Sequence, residues 1–172
     1  MSGDYTVRQV RADDWPAVKA LRLAALRDPV APIAFFETYD EAVARPDAFW
    51  KERTLGGAEG GRNRQFVAEA PDGEWLGTVT ALLEQAGTVD FMGEAVDRPQ
   101  AHLVGVFVRP GHRGGTVSAA LFRTALAWTA PRASRTRLLV HRDNGRAEAF
   151  YRKLGFIRVR ELTEEYEMVH QG

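Results

Sequence analysis

The chain has 172 residues, with Lys and Arg together numbering 23, Asp and Glu also 23, and no cysteine. That length carries a self-sufficient core, expected as one domain over residues 1–172. The balanced charge argues against a global field for nucleic acid or an anionic membrane. The lack of cysteine excludes disulfides, thiolate metal sites and a cysteine nucleophile. The opening MSGDYTVRQV lacks the apolar core of a signal peptide, and no run approaches membrane-spanning length; a soluble cytoplasmic protein is expected.

YTVRQV (5–10) alternates as a short strand. RADDWPAV opens a helix, with Asp13 or Asp14 as cap and Pro16 in the first turn. Leu21, Ala24, Ala25 and Asp28 continue it until the prolines of DPVAP. DEAVARPDAFWKERTL reads as helix broken near Pro46, and GGAEGGRNR as a loop. QFVAEAPDGEWLGTVTALLE is a hairpin turned by Pro-Asp-Gly, followed by an irregular connection over 85–99. AHLVGVFV (101–108) is a buried strand. Val117, Leu121, Ala125 and Trp128 then recur at helical spacing. TRLLVH (136–141) is a strand, NGRAEAFYRKLGF a helix capped by Asn144 and stopped by Gly155, and FIRVRE with EYEMVH a closing strand pair. The pattern predicts an α/β (α+β) domain whose central mixed, mostly antiparallel sheet is flanked by helices.

RPGHRGGTVSAAL (109–121) carries the first chemical signal. A helix start offers unpaired N–H groups and the positive end of a dipole, and glycines let a phosphate approach the backbone. Arg113, Gly114, Gly115, Thr116, Val117 and Ser118 are spaced to do this, with charge from Arg109 and Arg113. The stretch matches neither the Walker A nor the Rossmann pattern, and alone it equally suits an ordinary strand-to-helix turn.

A second motif follows one strand later: Asn144, Ala147, Tyr151, Gly155 and Phe156 fill every position of Asn-x-x-Ala-x-x-x-Tyr-x-x-x-Gly-Phe. Together with VGVFVRP and HRGGTVSAAL it resembles the GNAT superfamily of N-acetyltransferases, closely over roughly the last seventy residues. The departure lies at Thr116 and Ser118, where family members carry Gly and Gly/Ala. The backbone amides survive these changes. Thr116 is expected to bring a branched side chain toward the pyrophosphate, its hydroxyl compensating as a donor. The cradle is read as modified but working.

The resemblance implies acetyl-CoA as co-substrate, an amine acceptor, and no metal. It implies that Val106, Phe107 and Val108 pair through their backbone with the pantetheine arm, their side chains being core. It implies that Tyr151 faces the CoA sulfur as general acid, the alternative being a core tyrosine. Asn144 is a pantetheine contact, a helix cap, or both. Arg146 and Arg152 reach the CoA phosphates or form a solvated face. His102, on the face of Val104 and Val106, is the candidate base, with a solvent-exposed strand end as the other reading. Glu84 and Asp90 are fallbacks, and His112 is expected to meet phosphate or water. HRDN (141–144) matches a kinase catalytic loop only by coincidence, and no metal-ligand spacing is present.

In the family, acceptor choice falls to the early helices and the connection before the central strand, here residues 22–50 and 85–99. Phe35, Phe36, Tyr39 and Trp50 suggest an aromatic wall, and Glu37, Asp90 and Glu94 a pull on a cationic amine. Core packing and a solvated surface are the plainer uses. The expected activity is acetyl transfer to a primary amine of a small molecule or protein in a ternary complex. The alternative is a non-catalytic acyl-CoA-binding regulatory domain. Neither nucleic acid nor a membrane is an expected partner, and a homodimer stays open.

Overall fold

The computed structural model describes residues 4–90 and 92–170. Residues 1–3 of the opening stretch and residue 91 of the 85–99 connection lie outside them. The strands are β1 (Thr6–Gln9), β2 (Asn63–Glu69), β3 (Trp75–Glu84), β4 (Gln100–Val108), β5 (Arg135–His141), β6 (Phe156–Glu161) and β7 (Glu165–His170). They form one seven-stranded sheet in the order β1-β2-β3-β4-β5-β7-β6. All neighbours are antiparallel except β4 and β5, which helix α5 (Thr116–Thr129) links as a parallel crossover.

Alternation along the strands divides the core between the two faces. Phe66, Leu76, Leu121, Phe122, Leu138 and Phe156 pack on one side, beneath α5 and α6 (Gly145–Lys153). Val10, Leu21, Trp50, Val67, Trp75 and Phe107 pack on the other, beneath α1 (Trp15–Leu26) and α4 (Asp47–Glu59).

Three readings of the sequence need correction. Asp28 lies beyond the end of α1 rather than on it, and its carboxylate pairs with Arg113. The early helical region holds one extra short helix, α2 (Ala31–Ala34), whereas α3 (Tyr39–Val43) is the first piece of the segment expected to break near Pro46. Finally, α4 runs through Gly56 and Gly57 to Glu59, where glycines predict a loop. The reason is tertiary: at Gly57 a Cβ would stand 3.1 Å from that of Gln65, so glycine lets the helix press against β2.

Candidate functional site

The parallel ladder between β4 and β5 is short. It pairs Gln100 with Arg135, Ala101 with Thr136 and His102 with Arg137, and then the strands part. Beyond His102, β4 is held only by β3, and there its register slips. Thr80 faces Val104 and Thr78 faces Phe107, so two residues of β4 oppose one of β3. Gly105 absorbs this bulge at φ +63, a backbone region that favours glycine. A lone glycine inside the apolar run LVGVFV was the sequence signal for it.

Parted strands leave amides and carbonyls without ladder partners, and such groups demand hydrogen bonds from a ligand or water. Here they wall a cleft of about 1400 Å³, more than a single drug-sized ligand fills. Val106, Phe107 and Val108 lie along it. The Phe107 and Val108 side chains belong to the two cores, and the Val108 carbonyl accepts from Arg113 Nε at 2.7 Å.

The N-terminus of α5 opens into the same cleft through Gly114, Gly115, Ser118 and Ala119. Gly114 turns the chain at φ +76, and Gly115 is the N-cap, with no side chain to satisfy the first amides of the helix. Val117 is buried in the core. Thr116 does not line the cleft. Its Oγ1 lies 2.7 Å from the Tyr5 hydroxyl, on β1's side of the helix. The branched side chain expected to crowd a phosphate is therefore turned toward the N-terminal strand. Arg113 is partly spent as well, since its guanidinium donates to Asp28 at 2.7 Å. Arg109 donates to the Trp75 carbonyl, and His112 does not line the cleft.

Helix α6 forms the facing wall. Asn144 Oδ1 accepts from the Ala147 amide at 3.3 Å, capping the helix, and the Asn144 side-chain nitrogen remains for a ligand. Arg146 and Lys153 line the cleft, whereas Arg152 pairs with Glu148. Tyr151 is sandwiched among Phe122, Phe150 and Phe156, with ring centroids 5.4 to 6.0 Å away. It also lines the cleft, and its hydroxyl has no hydrogen-bond partner among the described residues. Burial pushes its pKa up to about 12, so the phenol keeps its proton throughout the neutral range.

His102 also lines the cleft, at the point where β4 and β5 part. It is only 2% exposed, so the reading as a solvated strand end is corrected. Burial, and then the charge of Arg137, outweigh the pull of Asp90 and push its pKa down to about 3. A neutral ring with so acidic a conjugate acid is a weak base toward an ammonium group. The sign of its linkage follows. Below pH 6.5 the unfolded ring takes up a proton that the folded ring refuses until about pH 3. Stability should therefore fall as pH drops below that upper value, by at most about 1.4 kcal/mol per pH unit from this group. In His102→Asn the fall between neutral pH and pH 5 should be shallower. Parallel stability curves for the two proteins would show that His102 titrates normally in the fold.

The fallback bases are committed elsewhere. Arg137, barely exposed at 2%, donates to Glu84, Asp90 and Glu167 at 2.8 to 3.1 Å. Burial raises the Asp90 pKa, but hydrogen bonds from the Glu94 amide, Arg137 and the Met92 amide outweigh this and hold it low. Glu94 pairs with Arg160, and Glu37 with both Arg22 and Arg45. Of the aromatic residues singled out earlier, Phe35 and Phe36 line the cleft. Trp50 is fully buried, and Tyr39 is engaged with Arg27. No group of three or more His, Asp or Glu able to hold a metal occurs among the described residues, and no helix among them is long and apolar enough to cross a membrane.

A parallel strand pair splayed at a bulge, with a glycine-opened helix start beneath it and a buried phenol opposite, defines the acyltransferase fold of CoA-using enzymes. The chain belongs to the acetyltransferase (GNAT) family, whose model matches residues 19–156. Members of that family use acetyl-CoA as co-substrate. No curated protein sequence matches significantly. Among solved structures the chain is similar to the PaiA N-acetyltransferase from Thermoplasma acidophilum in complex with coenzyme A (TM-score 0.76, 15% identity, 98% of this chain and 99% of that one). It is similar to a GNAT-family acetyltransferase from Streptococcus pneumoniae (0.75, 16%, 98% and 100%). It is also similar to the spermidine N-acetyltransferase from Vibrio cholerae in complex with CoA and spermine (0.63, 17%, 97% and 95%).

Proposed function

We propose that the protein transfers an acetyl group from acetyl-CoA to a primary amine by direct attack in a ternary complex. The observation that carries this reading is the unpartnered Tyr151 hydroxyl, opening into the cleft across from the parted β4 and β5. The residues fit the donor along its length. The first amides of α5 and the side chains of Arg146 and Lys153 suit phosphates. The Asn144 amide nitrogen and the unladdered backbone of β4 suit the pantetheine amides, in the manner of an added strand.

Acetyl-CoA supplies the thioester, and the chain's own groups do the rest. A β4 amide near the Gly105 bulge polarises the carbonyl and holds the charge that develops on its oxygen. Tyr151 Oη keeps a proton available for the leaving sulfur. With His102 neutral and weakly basic, the amine enters in its unprotonated form, and the proton its nitrogen sheds on acylation passes through water to restore the one Tyr151 gives to the sulfur.

Thermal unfolding with and without acetyl-CoA, alongside thiol release with an amine panel, tests this. At a hundredfold excess over its dissociation constant the donor should add about 2.7 kcal/mol of stability. Thiol release should require an amine. Absence of any thermal shift at millimolar acetyl-CoA would overturn the reading. A shift without turnover on any amine would leave a non-catalytic acyl-CoA-binding domain.

A further inference from the structure

The acceptor end of the cleft is formed by α1, α4 and the segment between them, and its charges are unevenly satisfied. Asp28 is taken by Arg113, and Glu37 by Arg22 and Arg45. A polycationic acceptor would need those carboxylates. Arg53 of α4, by contrast, lines the cleft with neither an ion pair nor a hydrogen bond among the described residues. Its guanidinium carbon lies 5.9 Å from the ring centroid of Trp50. Arg53 is exposed to solvent at the cleft wall, and partial desolvation there, followed by repulsion from Arg22 and Arg45, lowers its pKa despite the pull of Glu37. A guanidinium held this way gains from a carboxylate, which it can grip with two parallel hydrogen bonds.

The place of Arg53 limits how far that carboxylate stands from the reacting nitrogen. Arg53, Gly105, Thr80 and Gln65 share the walls of one small cavity of about 20 Å³. A group bound to Arg53 is therefore next to the β4 bulge, where the strands part. Amine and carboxylate must then be close neighbours on the acceptor, as they are on one α-carbon. The remaining wall is apolar, with Ile33, Phe35, Phe36 and Phe49 on the cleft and Phe36 77% exposed to it. Glu52 is the cleft carboxylate that no arginine has taken.

We propose that the acceptor is an α-amino acid with a large apolar side chain, its carboxylate held by Arg53. This rests on the amine acetyltransferase reading above and names the substrate class of that site.

The test compares L-leucine, L-methionine, L-phenylalanine and L-tryptophan, each as free acid and as primary amide, together with spermidine, in acetyl-CoA-dependent thiol release. Amino amides are weaker bases, hence more deprotonated at neutral pH, so intrinsic reactivity favours them. The site should reverse this and favour the acids about 10- to 100-fold, the worth of hydrogen bonds to a charged group. In R53Q that preference should vanish through loss of the acid rate, while R53K retains part of it. The acetyl-CoA thermal shift, unchanged in both variants, shows that fold and donor site persist. Amides or spermidine turning over as fast as the acids would overturn the proposal. So would an unchanged acid-to-amide ratio in R53Q, or no turnover of any free acid. Each of these leaves donor binding intact. Loss of the underlying reading shows itself differently, as no response of the wild-type protein to acetyl-CoA.

Discussion

Replacing Tyr151 by Phe should slow acetyl transfer about 10²- to 10⁴-fold, the usual contribution of a positioned acid. Fold and CoA affinity should be retained. The ring packs against Phe122, Phe150 and Phe156, and none of that packing needs the hydroxyl. Only the group facing the cleft is lost, and with it the proton for the departing sulfur. With the phenol pKa raised to about 12, wild-type activity should show no loss from tyrosine ionisation up to pH 10. Phe150→Leu is the control, since it disturbs the same cluster without touching the acid. The comparison is made under conditions where the chemical step limits turnover. Wild-type rates in Tyr151→Phe would reduce Tyr151 to a core residue.

Removing the Arg137 side chain should cost about 3–5 kcal/mol of stability, the range for breaking a buried ion pair from one side. Arg137→Ala takes away the cation shared by Glu84, Asp90 and Glu167, which are 9%, 3% and 6% exposed, leaving Glu84 and Asp90 with neutral donors alone and Glu167 with Arg160. Burial works to lower the Arg137 pKa, but the Glu167 bond and the Glu84 and Asp90 charges outweigh it and raise it, so the guanidinium stays charged at every accessible pH. For a chain of this size each kcal/mol moves the melting temperature about 2–4 °C. Denaturant unfolding of Arg137→Ala and Arg137→Met checks the size of the loss. The carboxylates remain in both, so methionine should recover only the packing. A loss within about 1 kcal/mol in Arg137→Ala, the value of an exposed pair, would show that water reaches the cluster.

This cluster has a place in the site as well. Asp90 is fixed by Arg137 from one side, and its other carboxylate oxygen accepts from the Met92 and Glu94 amides. The connection between β3 and β4 is thereby tied to β5 at the residue beside His102 in the ladder. The Arg137 contact of Asp90 and the Arg160 pair of Glu94 explain why these two carboxylates, which suggest a cation site in the sequence, are already engaged.

The elements proposed to hold the donor were legible in the chain itself. They are local: a strand ending in Val108-Arg109-Pro110, a left-handed glycine at Gly114, an Asn144 cap, and Tyr151 seven residues on. Backbone preferences and helical spacing act over a few residues, and a motif records them directly. Thr116 shows where such reading stops. Its identity departs from the family pattern, but its rotamer is set by Tyr5, more than a hundred positions away in the chain.

What only the tertiary structure decided is which charges are already satisfied. Glu37, Asp90 and Glu94 read in the sequence as open carboxylates, and each has an arginine. His102 reads as a base, and burial and Arg137 lower its affinity for protons. Arg53 is one of many arginines in the sequence and becomes distinctive because Arg22, which shares its wall of the cleft, is paired with Glu37 and it is not. Electrostatic interactions depend on distance and desolvation, and both are set by segments far apart in the chain. The sequence by itself therefore determined the fold, the family and the glycine-opened start of α5, whereas the character of the proposed acceptor end came only from how the chain closes on itself.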